Sequence, residues 1–254
     1  MDSGQIAAII LAAGSSSRMG GVKKEFAKLP NGETVLACSV RVFSSLAENI
    51  IIVVPQNCEA QAKDALPAEL KENQNNKINF VKGADTRRGS TLNALRALLP
   101  FNPRYVLIHD GARPFISNEA AANLIDAVKK YGAVIPVLEI TETPKELGIK
   151  NEELRIKNVE CGIKNVGIRG ENKEQTAKKE VVFIERHLKR VNIVTAQTPQ
   201  CFKFPEILYA HEEAAKVDEE FTDDAEIWGR FVGQVAAIPG DINNRKITFP
   251  QDLN

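Results

Sequence analysis

Apolar residues gather in short runs that recur along the chain, at Ala7 to Leu11, Ile50 to Val54, Ile78 to Val81, Tyr105 to His109 and Ala133 to Val137. Stretches of helical period lie between them. Runs this short and this continuous read as strands buried on both faces, and their alternation with amphipathic helices predicts a parallel α/β sheet. Thr34 precedes Val35, Leu36, Ser39, Val42, Phe43 and Leu46, and Ser90 precedes Leu92, Leu95, Leu98 and Leu99, so that a capping residue opens an apolar face in each case. Asn31-Gly32 marks a tight turn, which makes residues 26–29 a short connecting piece before the first helix. Phe204 to Lys216 and Asp224 to Phe231 resume the helical pattern, and Gln234 to Ile238 reads as a last strand.

The pattern breaks between Lys145 and Arg190, where twenty of forty-six residues are charged and apolar residues come only in clusters such as Val181-Val182-Phe183-Ile184. Gly167 to Lys179 holds almost no aliphatic residue and reads as a flexible loop tip, with its flanks as strands of an arm. The expected organisation is one domain over residues 1–254, in which residues 140–195 form an extended arm carrying a charged insertion.

Lysine plus arginine equals aspartate plus glutamate, at 33 each. This balance, without a long basic block, argues against a nucleic-acid polymer as partner and leaves small phosphorylated ligands. Cys38, Cys58, Cys161 and Cys201 are scattered, and His109, His187 and His211 have no ligand spacing, so no zinc site is expected. Scattered cysteines fit a reducing compartment. Ile6 to Ala13 is too short and too poor in flanking cations for a signal segment, and no run approaches the roughly 20 apolar residues of a membrane span. A cytoplasmic protein with no membrane partner is expected.

Candidate chemistry collects where the strands end. Gly14-Ser15-Ser16-Ser17-Arg18-Met19-Gly20 follows the first strand, and its small residues leave backbone N–H groups free to wrap an anion, with Arg18 and Lys24 supplying charge. It is neither a Walker loop, lacking Gly-Lys-Ser/Thr, nor a dinucleotide fingerprint, having Ser16 at the second glycine position. His109-Asp110-Gly111-Ala112-Arg113-Pro114 ends another strand; there Asp110 could hold a divalent metal such as Mg²⁺ and Arg113 an anion, or the two could form a turn and a surface ion pair. Gly83-Ala84-Asp85-Thr86-Arg87-Arg88-Gly89-Ser90 is either a helix start capped by Ser90 or a base-sized slot lined by Gly83, Asp85 and Ser90. Ala196 to Gln200, Phe221 to Ala225 and Gly240 to Thr248 read locally as turns and caps.

Taken in order, Leu-Ala-Ala-Gly-Ser-Ser-Ser-Arg-Met-Gly, His-Asp-Gly-Ala-Arg-Pro-Phe, Ala-Gln-Thr-Pro-Gln and Asn-Arg-Lys-Ile-Thr-Phe-Pro-Gln-Asp-Leu resemble the 2-C-methyl-D-erythritol 4-phosphate cytidylyltransferases of the non-mevalonate isoprenoid pathway. The resemblance covers nearly the whole chain except the charged insertion. It implies a Rossmann-like, GT-A-type nucleotidyltransferase with a mostly parallel sheet flanked by helices, a projecting arm and a homodimer formed through that arm. It also implies transfer of a cytidylyl group from CTP to methylerythritol phosphate with Mg²⁺.

By the same resemblance, Arg18, Lys24, Arg190 and Lys246 are the catalytic cations. Ala12, Ala13, Gly14, Gly83, Asp85 and Ser90 contact the nucleotide, Asp110, Gly111, Arg113, Thr143 and Thr222 contact the acceptor, and Asp110 is the metal ligand. The chain departs from the family at Lys23-Lys24-Glu25, where Pro-Lys-Gln is usual and where Glu25 adds negative charge to a phosphate site. Two other readings share these motifs: a ribitol 5-phosphate cytidylyltransferase, and a CTP-binding regulatory protein without turnover.

Overall fold

The computed structural model describes residues 5–19, 23–72, 77–148 and 183–253; the expected loop tip, Gly167 to Lys179, lies outside them. The strands are β1 (Ile6–Leu11), β2 (Asn49–Val54), β3 (Lys77–Lys82), β4 (Tyr105–Asp110), β5 (Ala133–Glu139), β6 (Lys145–Gly148), β7 (Phe183–His187), β8 (Val194–Ala196), β9 (Gln200–Lys203) and β10 (Ala236–Pro239). The α-helices are α1 (Val35–Arg41), α2 (Glu59–Asp64), α3 (Ala68–Lys71), α4 (Arg87–Ala97), α5 (Asn118–Tyr131), α6 (Phe204–Ala214) and α7 (Asp224–Phe231). The chain divides into two compact units, residues 1–138 with 195–254, and residues 139–194.

In the larger unit the strands run in the order β10-β5-β9-β4-β1-β2-β3, and β8 also pairs with β5. Along that path all neighbours are parallel except β9, which is antiparallel to both β4 and β5. The expected strands all form, and the mostly parallel, helix-flanked sheet is the one predicted. The exception is β9, of which Gln200 ends a stretch that local sequence reads as turn and the other three residues carry no strand signal. Cys201 and Phe202 are both fully buried, so this strand is covered on its two faces and has no alternation to betray it.

Because successive side chains point to opposite faces, Ala8 and Ile10 of β1 join one core layer with Leu36, Val40, Leu124 and Val128, from α1 and α5. Ala7 and Ile9 join the other, with Leu95, Phe204, Ile207 and Trp228 from α4, α6 and α7. Each fully buried isoleucine here contributes about 2 kcal/mol by the area it removes from water.

The caps follow the sequence in part. Thr34 accepts from Ala37 N–H as expected. At α4 the expectation is corrected: the cap is Thr86, which accepts from Gly89 N–H, and Ser90 sits inside the first turn. Thr86 has the extended backbone a cap needs, and Ser90 is left to bond Ala84 instead.

In the smaller unit β6 and β7 form an antiparallel hairpin with a register shift between Glu146 and Leu147. The hairpin leaves Leu147, Phe183 and Ile184 about half exposed.

Candidate active site

Parallel pairing aligns the carboxyl ends of β1, β2, β3 and β4 along one rim, with Leu11 opposite both Val53 and Asp110. The ladder continues one step beyond the strands: Ala12 N–H donates to Val53 O at 2.8 Å, Gly83 N–H to Val54 O at 2.8 Å, and Gly111 N–H to Leu11 O at 2.9 Å. Three of the predicted loops therefore leave the sheet side by side. Gly83 is required by this proximity, since a Cβ there would lie 2.5 Å from Ala13 Cβ and 3.1 Å from Ser90 Oγ. Ser90 Oγ accepts from Ala84 N–H at 3.0 Å and fixes the loop. Ala12, Ala13, Gly83 and Ser90 are thus brought together, with Gly14 and Asp85 exposed at the rim.

The loop after β1 is held from below. Ser16, in the left-handed region at φ 51°, donates from Oγ to Glu25 Oε2 at 3.2 Å and accepts from Lys24 N–H at 3.3 Å. Lys23 Nζ donates to Gly14 O at 3.0 Å. Glu25 is only 2% exposed, so its carboxyl lies beneath the loop instead of facing solvent beside Lys24. Burial pushes that carboxyl up, against the pull of its backbone hydrogen bond, Lys24, Ser16 and Lys23. The guanidinium of Arg18 lies 5.6 Å from the centre of the Phe249 ring.

Lys24 Nζ donates to Ile247 O at 3.1 Å. Its ammonium is pushed down, first by partial burial and then by the nearby charges of Lys246 and Arg18, while Glu25 and Asp110 pull the other way. Cations that repel one another across an open rim make a field that an anion relieves.

Asp110, the last residue of β4, lies at the centre of that field. Lys246 Nζ is 2.7 Å from its Oδ2, Arg113 Nε 3.7 Å from the same oxygen, and Arg87 Nη2 3.9 Å from Oδ1. Burial opposes ionisation here, but Lys246, Arg87 and Arg113 outweigh it and hold the carboxyl well below the usual carboxylate range. Arg87 also reaches Asp224 at 2.8 Å, and Asp224, fully buried, lies 3.2 Å from His211. Burial likewise works against the Asp224 charge, yet Arg87 and His211 hold the carboxyl down to about 2.

A neutral network supports Asp110 from behind. Its N–H donates to Thr198 Oγ1 at 3.0 Å, and Thr198 Oγ1 lies 3.1 Å from His109 Nδ1. His109 Nε2 lies 3.0 Å from the Arg113 carbonyl, which can only accept. The proton therefore sits on Nε2, and the Thr198 hydroxyl donates to Nδ1. Burial lowers the His109 pKa to about 4. Asn244 Nδ2 donates to Thr198 O at 2.8 Å, and its own carbonyl accepts from Arg113 Nη1 at 2.7 Å. The antiparallel sense of β9 makes this possible: Gln200 pairs with Ile108, so the residues just before β9 arrive beside the end of β4.

Of the remaining candidates, Gly111 is buried against Leu11 and Ala12, where a Cβ would approach the Leu11 carbonyl to 3.1 Å. Thr222 is exposed and donates from both N–H and Oγ1 to Glu226 Oε2, at 2.7 and 2.8 Å, two residues before Asp224. Thr143 and Arg190 belong to the smaller unit, where Thr143 is exposed and Arg190 Nη1 donates to Thr141 O at 2.6 Å.

Sequence reasoning passed over Arg87, Asp224, His211, Thr198 and Asn244. Arg87 and Asp224 each stand in a like-charged pair within a quoted motif, which is a signal. His211, on the apolar side of α6, has none. Among the described residues no three His, Cys, Asp or Glu side chains cluster as metal ligands. Asp110 alone, with a side chain 13% exposed, fits a cation such as Mg²⁺ that keeps waters and substrate phosphates in its shell and takes one or two protein carboxylates.

The family profile of 2-C-methyl-D-erythritol 4-phosphate cytidylyltransferase, IspD, matches residues 6–254. The chain is 35% identical over 253 residues to the bifunctional enzyme IspD/IspF of Bartonella tribocorum, covering 98% of this chain and 54% of that one. It therefore spans about half the length of such bifunctional relatives. The 2-C-methyl-D-erythritol 4-phosphate cytidylyltransferase of Geobacillus thermodenitrificans is 31% identical, over 97% of this chain and 92% of the relative. Among solved structures, the 4-diphosphocytidyl-2C-methyl-D-erythritol synthase of Anaerococcus prevotii superposes with a TM-score of 0.73 at 27% identity, covering 98% of this chain and 92% of that one. The profile takes in the loop after β1, the Asp110 rim and the Lys246 segment together, and the chain belongs to the 2-C-methyl-D-erythritol 4-phosphate cytidylyltransferase (IspD) family.

Proposed function

We propose that the chain transfers the cytidylyl group of CTP to 2-C-methyl-D-erythritol 4-phosphate, releasing pyrophosphate and forming 4-diphosphocytidyl-2-C-methyl-D-erythritol. The observation that carries this reading is the convergence of Arg18, Lys24, Lys246 and Asp110 on the rim that the Gly83–Ser90 loop also joins, in a chain of this family.

The acceptor phosphate oxygen attacks the α-phosphorus of CTP, its bond to phosphorus forms as the bond to the bridging oxygen breaks, and pyrophosphate departs. A phosphate monoester has a second pKa near 6, so the nucleophile is already ionised at neutral pH and no general base is needed. The barrier is the approach of two anions. Arg18 and Lys24 offset it on the nucleotide side and stabilise charge developing on the leaving pyrophosphate, while Lys246 orients the acceptor phosphate. Asp110 is the residue that would hold Mg²⁺, which supplies charge neutralisation across the triphosphate when bound. Ala12, Ala13, Gly14, Gly83, Asp85 and Ser90 receive the nucleotide, and Gly111, Arg113 and Thr222 the polyol.

Arg190 and Thr143 keep the acceptor roles that family resemblance implies. A homodimer formed through residues 140–195 is supported by the half-exposed Leu147, Phe183 and Ile184. A cytoplasmic setting is supported by the free thiols of Cys38, Cys58 and Cys201. Mass analysis of the product formed from CTP and methylerythritol phosphate, beside a parallel reaction with ribitol 5-phosphate, tests the reading. A cytidine diphosphate adduct of the first acceptor supports it, and an adduct of ribitol alone moves the assignment to that activity.

A further inference from the structure

Glu25 is buried under the loop that follows β1. Its Oε2 accepts from Ser16 Oγ at 3.2 Å, and the same hydroxyl accepts from Lys24 N–H at 3.3 Å. One serine hydroxyl therefore ties the loop to the turn that carries Lys24. Gly14, at the loop's exposed entrance, lies over Glu25, and a Cβ there would meet Oε1 in ordinary van der Waals contact at 3.9 Å. Ser16 is held at φ 51°, a conformation that a non-glycine residue keeps only when its surroundings enforce it. Among the described residues, the charged groups acting on the carboxyl are Lys24 and Lys23 on its own turn, and from the loop Ser16 supplies a polar side chain.

We propose that Glu25 is a positioning residue for the nucleotide: through Ser16 its buried carboxyl fixes the Gly14–Ser16 loop against the Lys24 turn, and its charge limits how tightly that loop holds the phosphates of CTP. The first part follows from the shared hydroxyl. The second follows from Coulomb's law, because a carboxylate buried behind the loop acts on a phosphate in front of it with little screening. Protonation or replacement by an uncharged isostere keeps an oxygen for Ser16 and removes the repulsion. Burial already favours the protonated form, so the penalty on binding fades as the pH falls.

This inference rests on the proposed function, and direct titration of CTP with Mg²⁺ separates the two. Wild type, Glu25→Gln and Ser16→Ala are compared at about pH 8 and again at the lowest pH at which all three stay folded, after thermal melting has established that each variant is folded. CTP's own ionisation is common to all three. Glu25→Gln is expected to bind CTP several-fold more tightly than wild type at the higher pH, with the ratio shrinking at the lower, and to change KM for CTP more than kcat. Ser16→Ala is expected to weaken CTP binding about tenfold at both. A purely structural role for Glu25 would give no pH-dependent ratio. CTP binding that both variants leave unchanged at both pH values overturns this inference alone; a wild-type chain that binds no CTP overturns the functional reading and this inference with it.

Discussion

Lys246 Nζ lies 2.7 Å from Asp110 Oδ2, across 136 residues of sequence. The contact joins the end of β4 to the segment after β10 and gives one carboxylate a mobile, partly exposed cation, since the Lys246 side chain is 40% exposed. Only the Lys246 end is open to solvent, and because Asp110 keeps Arg87 and Arg113 nearby, losing the pair costs little stability. In the proposed function Lys246 turns to the acceptor phosphate while Asp110 stays ionised beside Arg87 and Arg113.

Lys246→Ala is therefore expected to leave the melting temperature nearly unchanged and to lower kcat/KM for methylerythritol phosphate on the order of 10²–10³-fold, the range for losing one preorganised donor. Steady-state kinetics with each substrate varied in turn checks this. The loss should appear chiefly with the acceptor.

Asp110→Asn keeps the shape of the side chain and removes the charge that would hold Mg²⁺. Turnover should fall at least about 10²-fold and should not be restored by excess Mg²⁺. Chelation should abolish wild-type turnover, and re-addition of the cation should restore it. Turnover that persists through chelation would remove Asp110 from its assigned role.

Arg87 has a different weight. It spans Asp110 and the fully buried Asp224, and without it the one partner left to Asp224 among the described residues is the His211 ring at 3.2 Å. Stranding a buried charge is costly, and because the Arg87 side chain is 34% exposed the lower end of the usual range applies. Arg87→Gln should destabilise the protein by about 3 kcal/mol, read from urea unfolding, while Lys246 keeps Asp110 ionised and activity in the folded fraction falls less than for Lys246→Ala.

Acid stability should report on His109. Its folded-state pKa is lowered to about 4 by burial, so between that value and the ordinary one of about 6.5 the unfolded chain binds a proton that the native chain does not. Stability then rises with pH through this window, and about 3 kcal/mol should be lost on going from pH 7 to pH 4. Glu25, raised by burial, contributes with the opposite sign above its unfolded value. The His109 part is accordingly the difference between wild type and His109→Gln in urea unfolding, and the variant should show the flatter profile. Asp224, held at about 2, adds its loss only below about pH 4.

Much of this site could be read before any coordinates. Strand ends are marked by where apolar runs stop, and Arg18, Lys24, Asp110, Gly83 and Ser90 stand at such points. Parallel topology then places them on one rim. What could not be read depends on pairing between distant elements: β9 is antiparallel in a parallel sheet, and only that sense delivers Thr198 to the back of Asp110. Arg87, Asp224 and His211 meet because α4, α6 and α7 cover the same face of the sheet, which spacing along the chain does not encode. Thr86 displaced Ser90 as a cap through a local choice between two suitable residues four positions apart. Glu25 stands beside Lys24 in the sequence, but its position underneath the loop is a matter of packing.

Cytidylyl transfer to methylerythritol phosphate is the activity proposed for this rim. The most direct measurement is pyrophosphate release by the purified chain with CTP and Mg²⁺, with methylerythritol phosphate or ribitol 5-phosphate as acceptor, in wild type and in Lys24→Ala. Release that requires methylerythritol phosphate and falls about 10²-fold or more in Lys24→Ala is the predicted result. CTP binding without pyrophosphate release, or release with ribitol 5-phosphate alone, would contradict it.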